Sequence, residues 1–249
     1  MKLYDCVIIG GGPAGLSAAK MAAESGVHSI IIERDYKVGG QLVKQTHMFF
    51  GSEKQYAKTR GIDIAKILVH DVIQYSEYID IWTNTTVVGL YPDYVVSLLH
   101  GETYIKIKAK AIIVATGASE KFLAFENNDL PGIYGAGAVQ TLMNVHGVLP
   151  GTDVVMVGSG NIGLIVSYQL LQAGVNVKMV VEAAQTIGGY KVHASKLKRL
   201  GVDIRTGTTV KRAIGKETLE SIVITKLDKA WNVIEGTDEQ VDCDSLCIS

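Results

Sequence analysis

The sequence predicts an α/β protein of two similar halves, each a parallel sheet with helices and a small antiparallel β-meander. Three observations carry this. An apolar run ending in a glycine cluster that opens a helical stretch occurs at residues 6–15 and again at 154–163. Each is followed by a second apolar run that ends in a glutamate, Glu33 or Glu182. Residues 79–87, IDIWTNTTV, match residues 202–210, VDIRTGTTV, at six of nine positions, which marks an internal duplication. A chain of 249 residues has room for two such halves at about 150 residues per domain.

Residues 6–9 are a short continuous apolar run, the pattern of a strand buried on both faces, and Gly10-Gly11-Gly12-Pro13-Ala14-Gly15 follows at once. Residues 14–25 are mostly Ala, Leu, Met and Lys, which favour helix, and Gly26 stands where a C-cap would. The strand at 29–32 ends in Glu33, 18 residues after Gly15 (33 − 15). The second half repeats the order: strand 154–157, Gly158-Ser159-Gly160-Asn161-Ile162-Gly163, a helix to about residue 173, and strand 175–181. Glu182 follows, 19 residues after Gly163 (182 − 163). Segments 94–99 with 104–108, and 221–226 with 232–235, alternate in polarity and read as the meanders. The first half closes with strand 111–115 and Thr116-Gly117, and the second reaches residues 245–249 at about the same point.

A strand, a GxGxxG turn, a helix and an acidic residue about 20 positions on form a dinucleotide-binding βαβ unit. Gly10 permits the sharp turn, Gly12 lets the backbone approach a pyrophosphate, and Gly15 lets the helix lie close to the strand. Pro13 and Ala14 start the helix, whose free amides and macrodipole stabilise phosphate oxygens without any lysine. Glu33 would accept hydrogen bonds from ribose hydroxyls. Gly158, Gly160, Asn161, Ile162, Gly163 and Glu182 repeat this logic. A carboxylate at the ribose repels a 2′-phosphate, and Ala183-Ala184-Gln185 offers no arginine to receive one, so the pattern favours NAD(H) over NADP(H). ATP or ADP would satisfy the same contacts, and an inherited turn can also bind nothing.

The balance of 24 Lys plus Arg against 25 Asp plus Glu gives a net charge of −1, without the basic field that nucleic-acid binding requires. Three cysteines, Cys6, Cys243 and Cys247, are too few and too scattered for a disulfide framework or a zinc site, which suits a reducing, cytoplasmic setting. The first residues lack the pattern of a signal peptide, and no run of about 18 apolar residues predicts a membrane span.

Together these residues resemble the two-domain flavoproteins of the FAD-dependent pyridine nucleotide-disulfide oxidoreductase superfamily, over the whole chain. Gly39-Gly40-Gln41-Leu42 is similar to the thioredoxin-reductase style of flavin-side segment, and Ala115-Thr116-Gly117 to the end of the first domain. The resemblance implies two Rossmann-like FAD/NAD(P)-binding domains, the second inserted in the first. FAD would lie in the first copy, held by the glycine turn with Glu33, Arg34, Gly40, Gln41, Ala115, Thr116 and Gly117, and by the Val87 backbone near the adenine. It also implies domains at 1–118 and 119–243, with 244–249 starting the return to the FAD domain. A Gly-Asp segment that holds the ribityl-phosphate region belongs to that return, so the sequence reads as a fragment or a shortened relative.

The disulfide reductases of the superfamily carry a Cys-x-x-Cys pair, but residues 38–50 and 131–139 contain no cysteine, and Cys243 and Cys247 read as strand residues. The resemblance narrows to the flavoprotein subunits of amine and amino-acid dehydrogenases: the alpha subunit of sarcosine oxidase, opine oxidase and hydrogen cyanide synthase. It rests there on Leu130-Pro131-Gly132-Ile133, Gly135-Ala136-Gly137-Ala138-Val139-Gln140-Thr141-Leu142 and Gly188-Gly189-Tyr190. It implies an electron-transferring subunit of a hetero-oligomeric oxidoreductase acting on a small molecule. An NADH-dependent flavin reductase of a small acceptor and a non-catalytic nucleotide-binding subunit are the alternatives. His47, just after the flavin-side glycines, is the candidate catalytic group beside the reading of an ordinary loop histidine. Phe49 and Phe50 either wall a flavin pocket or anchor the loop. Lys191, Lys196, Lys198 and Arg199 read as a solvated face. Residues 41–66 are present only in the first half, which makes them the place to seek specificity.

Overall fold

A computed structural model describes residues 1–49 and 52–249. The chain divides into two compact units, Met1–Ser119 and Glu120–Ser249. In the first, β1 (Lys2–Ile9) leads through the glycine turn into α1 (Pro13–Glu24) and β2 (Ser29–Ile32). Then come α2 (Gly61–Ile73), β3 (Ile79–Trp82), β4 (Thr85–Tyr91), β5 (Val95–His100) and β6 (Thr103–Val114). They form one six-stranded sheet in the order β3-β2-β1-β6-β5-β4. Its parallel strands are nearly all apolar, and Ile8, Ile30 and Ile31 are fully buried because helices cover one face and the meander side the other. On α1 it is Leu16, Ala19 and Ala23 that face this sheet, spaced three and four apart as one helix stripe requires.

The second unit contains β7 (Ile133–Gly135), α3 (Ala136–His146), β8 (Asp153–Val157), α4 (Asn161–Gln172), β9 (Asn176–Glu182) and α5 (Lys191–Arg199). It continues with β10 (Asp203–Thr206), β11 (Thr208–Ile214), β12 (Ser221–Lys226), β13 (Glu239–Asp242) and β14 (Ser245–Ile248). A five-stranded parallel sheet runs β10-β9-β8-β14-β7, and a separate antiparallel sheet runs β11-β12-β13. Met156, Val180 and Cys247 on one face pack under the helices, while Val155, Val181 and Ile248 on the other pack against Ile222 and Ile224 of the small sheet.

Three expectations are corrected. Residues 104–108 and 111–115 are not two strands: Lys108, Ala109 and Lys110 continue the alternation with no turn residue, so β6 is one twelve-residue strand. Its first part pairs antiparallel with β5 and its remainder parallel with β1. Residues 232–235 hold only the isolated bridge Leu227↔Val233, and the third meander strand is β13. There the Asp228 carboxylate accepts the amides of Ala230 and Asn232 and closes a turn instead. Segment 244–249 does not start a return to the first unit, because β14 lies between β8 and β7 and pairs with both. It is the counterpart of the second part of β6: Ala115 donates its amide to Ile9, and Ser249 donates its amide to Val157.

Residues 41–66 likewise need narrowing. Within them, α2 occupies the place that α5 holds in the second unit, so the stretch peculiar to the first unit precedes Gly61.

Candidate nucleotide sites

In each sheet the chain order reverses beside the strand that feeds the glycine turn: between β1 and β6, and between β8 and β14. Ligands of open α/β sheets bind at such switch points, outside the carboxyl ends of the strands. The glycines there divide into two kinds. A Cβ on Gly15 would run into the carbonyl oxygen of Gly10, and one on Gly163 into that of Gly158, so both are needed to seat the helix on the turn. Gly10 and Gly158 adopt φ of 107° and 98°, and a Cβ there would strike the carbonyls of Ala115 and Ser249. For Gly12, by contrast, the nearest atom to a Cβ is 3.8 Å away, and for Gly160 nothing lies within 4 Å. The protein does not fill these two positions. They leave the backbone open to something outside it.

What the openings face is a pair of helix starts without side-chain caps or acidic residues in the first turn, those of α1 and α4. Orphan amides at such ends favour an anionic ligand. The start of α3 shows the contrast, since there Glu120 Oε1 accepts the Gly137 amide. Pro13 at the first position of α1 sacrifices no useful donor. Ala14 and Ile162 are exposed at the helix starts.

Both glutamates are built into their turns in the same way. Glu33 Oε2 accepts the Gly11 amide at 2.7 Å and Oε1 the Asp35 amide at 2.9 Å. Glu182 Oε2 accepts the Ser159 amide at 2.8 Å and Oε1 the Ala184 amide at 2.8 Å. Each carboxylate is thereby held at the tip of the second strand beside the opening. Arg34, next to Glu33, is exposed. Val87 lies on β4, which is fastened to the end of β2 where Thr85 donates its amide to the Glu33 carbonyl at 2.9 Å.

The Gly-Gly segments close over the turns. Gly39 donates its amide to the Gly11 carbonyl at 2.7 Å, and a Cβ on Gly40 would lie 2.7 Å from Gly12 Cα. In the second unit Gly189 donates to the Ser159 carbonyl at 2.8 Å, and a Cβ on it would lie 2.9 Å from Asn161 N. In the sequence, Val38-Gly39-Gly40 against Ile187-Gly188-Gly189 carries the signal that pairs these segments. Gln41 is exposed at the start of a short 3-10 turn. Gly10, Ala115 and Thr116 meet at the end of β6, and Gly117 follows with φ of 71°. Val114, the last residue of β6, is 63% exposed at the same end of the sheet.

His47 lies in a loop that runs antiparallel to the approach to α2, with Met48 bridged to Arg60. Its ring stacks on Phe49, centroids 5.4 Å apart, and its carbonyl accepts the Gly61 amide. Phe49 packs with Leu42, Ile64 and Ala65, so it anchors the loop. Phe50 lies outside the described residues. On α5, Lys196 Nζ sits 3.9 Å from the centroid of the Tyr168 ring, so this lysine is packed rather than only solvated.

All three cysteines are free and buried. Burial pushes the Cys243 and Cys247 thiols up to about 12. Unfolded thiols lose their protons near pH 8.5, so above that pH the unfolded chain binds fewer protons than the folded one and stability falls. Chemical denaturation at pH 7 and pH 10 should therefore show a loss at pH 10 that shrinks in Cys243→Ala and Cys247→Ala. Equal losses in all three chains would contradict it.

The sequence profile described as pyridine nucleotide-disulphide oxidoreductase matches residues 4–249. The chain belongs to that family. Its fold is of the FAD/NAD Rossmann type, and FAD, with a nicotinamide nucleotide as the typical second ligand, is the cofactor that this family implies. The chain is 28% identical to hydrogen cyanide synthase subunit HcnB of Pseudomonas protegens, over 97% of its own length and 55% of that protein. It is also 28% identical to sarcosine oxidase subunit alpha of a Corynebacterium species, over 98% of its own length and 26% of that protein. The structure is similar to L-proline dehydrogenase from P. horikoshii, with a TM-score of 0.68 and 25% identity, covering 99% of this chain and 42% of that one. The chain thus spans about half or less of the length of these relatives. Among the described residues, no helix is long and apolar enough to cross a membrane.

Proposed function

We propose that the chain is the FAD-bearing, electron-transferring part of an amine or amino-acid dehydrogenase or oxidase, working with other subunits. The observation that carries the reading is the pair of open, uncapped glycine turns in a chain whose thiols are all buried. Relatives named as subunits of sarcosine oxidase and hydrogen cyanide synthase support the substrate class and the hetero-oligomer. A cytoplasmic home accords with the free thiols.

In this reading Gly12 and the first amides of α1 hold the pyrophosphate and Glu33 holds the adenosine ribose. Arg34 and the Val87 backbone border the adenosine. Gly40, Gln41, Ala115, Thr116 and Gly117 lie toward the redox end. When bound, FAD supplies hydride and electron transfer, and the protein binds and orients it. In the second unit Gly158, Gly160, Asn161, Ile162, Gly163 and Glu182 hold NAD, with ATP or ADP as chemically equivalent occupants. His47 is the histidine of the loop peculiar to the first unit, and we place it at the substrate side.

Dithiol exchange is not part of the proposal. It requires a thiolate, whereas Cys243 and Cys247 are pushed up to about 12. At the start of α3, where the resemblance would put the redox pair, the Glu120 carboxylate already accepts the Gly137 amide. Anaerobic addition of an amine panel, and separately of NADH, to the FAD-loaded protein tests the reading. Bleaching of the flavin bands by an amine or amino acid is expected. Bleaching by NADH alone would replace the proposal with a flavin reductase, and no bleaching by any donor would replace it with a nucleotide-binding subunit.

A further inference from the structure

The two turns differ in two hydrogen-bonding side chains: Asn161, whose Oδ1 accepts the Tyr190 amide at 2.8 Å, stands where the first has Pro13, and Ser159 stands where the first has Gly11. Ser159 is fully buried, and its hydroxyl donates to Glu182 Oε2 at 2.7 Å. The same Oγ accepts the Gly188 amide at 3.1 Å. Both units share the main-chain bond from the Gly-Gly segment to the turn, Gly39 to Gly11 and Gly189 to Ser159, so the serine hydroxyl adds one link between turn, strand tip and Gly-Gly segment.

An ionised carboxylate offers about four acceptor positions. Glu33 spends two, on the amides of Gly11 and Asp35, and keeps about two. Glu182 spends three, on the amide and hydroxyl of Ser159 and on the amide of Ala184, and keeps about one. A ribose presents two adjacent hydroxyls. We infer that the Ser159 hydroxyl competes with the ribose for Glu182, so that the second site reads one ribose hydroxyl where the first reads two. Ser159 is on this account a specificity-determining residue of the second site, which weakens binding of an adenosine ribonucleotide there while holding the Gly188 segment in place. The inference rests on the proposed nucleotide reading of that site.

The test is a calorimetric titration of ADP, 2′-deoxy-ADP, 3′-deoxy-ADP and 2′,3′-dideoxy-ADP into protein kept saturated with FAD. The wild-type chain should lose affinity for only one of the two monodeoxy analogues. Ser159→Ala and Ser159→Gly should bind ADP about three- to tenfold more tightly, the worth of one added net hydrogen bond, with dideoxy-ADP unchanged. Loss of affinity for both monodeoxy analogues in the wild type overturns the inference without any variant. So does an ADP affinity that stays the same or falls in both variants, or an equal gain for dideoxy-ADP. Glu182→Ala separates the two levels: if ADP binding is indifferent to it, the nucleotide reading of the second turn fails, and the inference fails with it.

Discussion

Gly15→Ala should abolish stable flavin binding and weaken the first unit by about 2–4 kcal/mol. The added methyl meets the Gly10 carbonyl oxygen, a main-chain atom that cannot rotate away, and behind it the Ile8 side chain at 3.3 Å. To relieve the overlap, α1 must lift from β1, which displaces the amides that face the pyrophosphate and loosens Leu16 and Ala19 from the sheet. Gly163→Ala does the same in the second unit, against the Gly158 carbonyl. Because the chain forms two units, each variant should turn a single denaturant transition into two, with only its own half displaced to lower concentration. Gly15→Ala should lose flavin absorbance on desalting while Gly163→Ala keeps it. Retention of full flavin by Gly15→Ala would mean that the first turn is not the flavin site.

Glu33→Gln should lower FAD affinity about 10- to 100-fold while leaving the second site unaffected. The carboxylate accepts two main-chain amides, and hydrogen bonds to a charged group are each worth about 1.5–3 kcal/mol. An amide of the same shape must turn its NH2 toward either the Gly11 or the Asp35 amide, donor against donor, and the surviving oxygen has less charge to offer a ribose. The flavin dissociation constant, read from fluorescence quenching on titration, checks this. Glu182→Gln is the matched control, expected to leave that constant within about twofold. If both variants weaken FAD equally, the two sites are not divided as proposed.

The strand, glycine turn, helix and glutamate of each half were legible because they lie within about 30 residues and their chemistry is local. Gly10, Gly12 and Gly15 each announce a different backbone requirement, and the structure gives each a different steric surrounding. The pairing of distant segments was not legible. Ser245–Ile248 is apolar enough for any central strand, and only its hydrogen bonds to β8 and β7 assign it to the second sheet. The fusion of two expected strands into β6 was hidden because Lys108-Ala109-Lys110 suits an edge as well as a continuation. The part played by Ser159 was not legible, since its hydroxyl partners, Glu182 and Gly188, stand 23 and 29 residues away.

The most direct test of the account is the crystal structure of the chain grown with FAD and ADP-ribose. The account predicts the FAD pyrophosphate over Gly12 and the first turn of α1 with its adenosine ribose on Glu33, and ADP-ribose over Gly160 with its ribose on Glu182. FAD over Gly160, or FAD bound away from both turns, would contradict it.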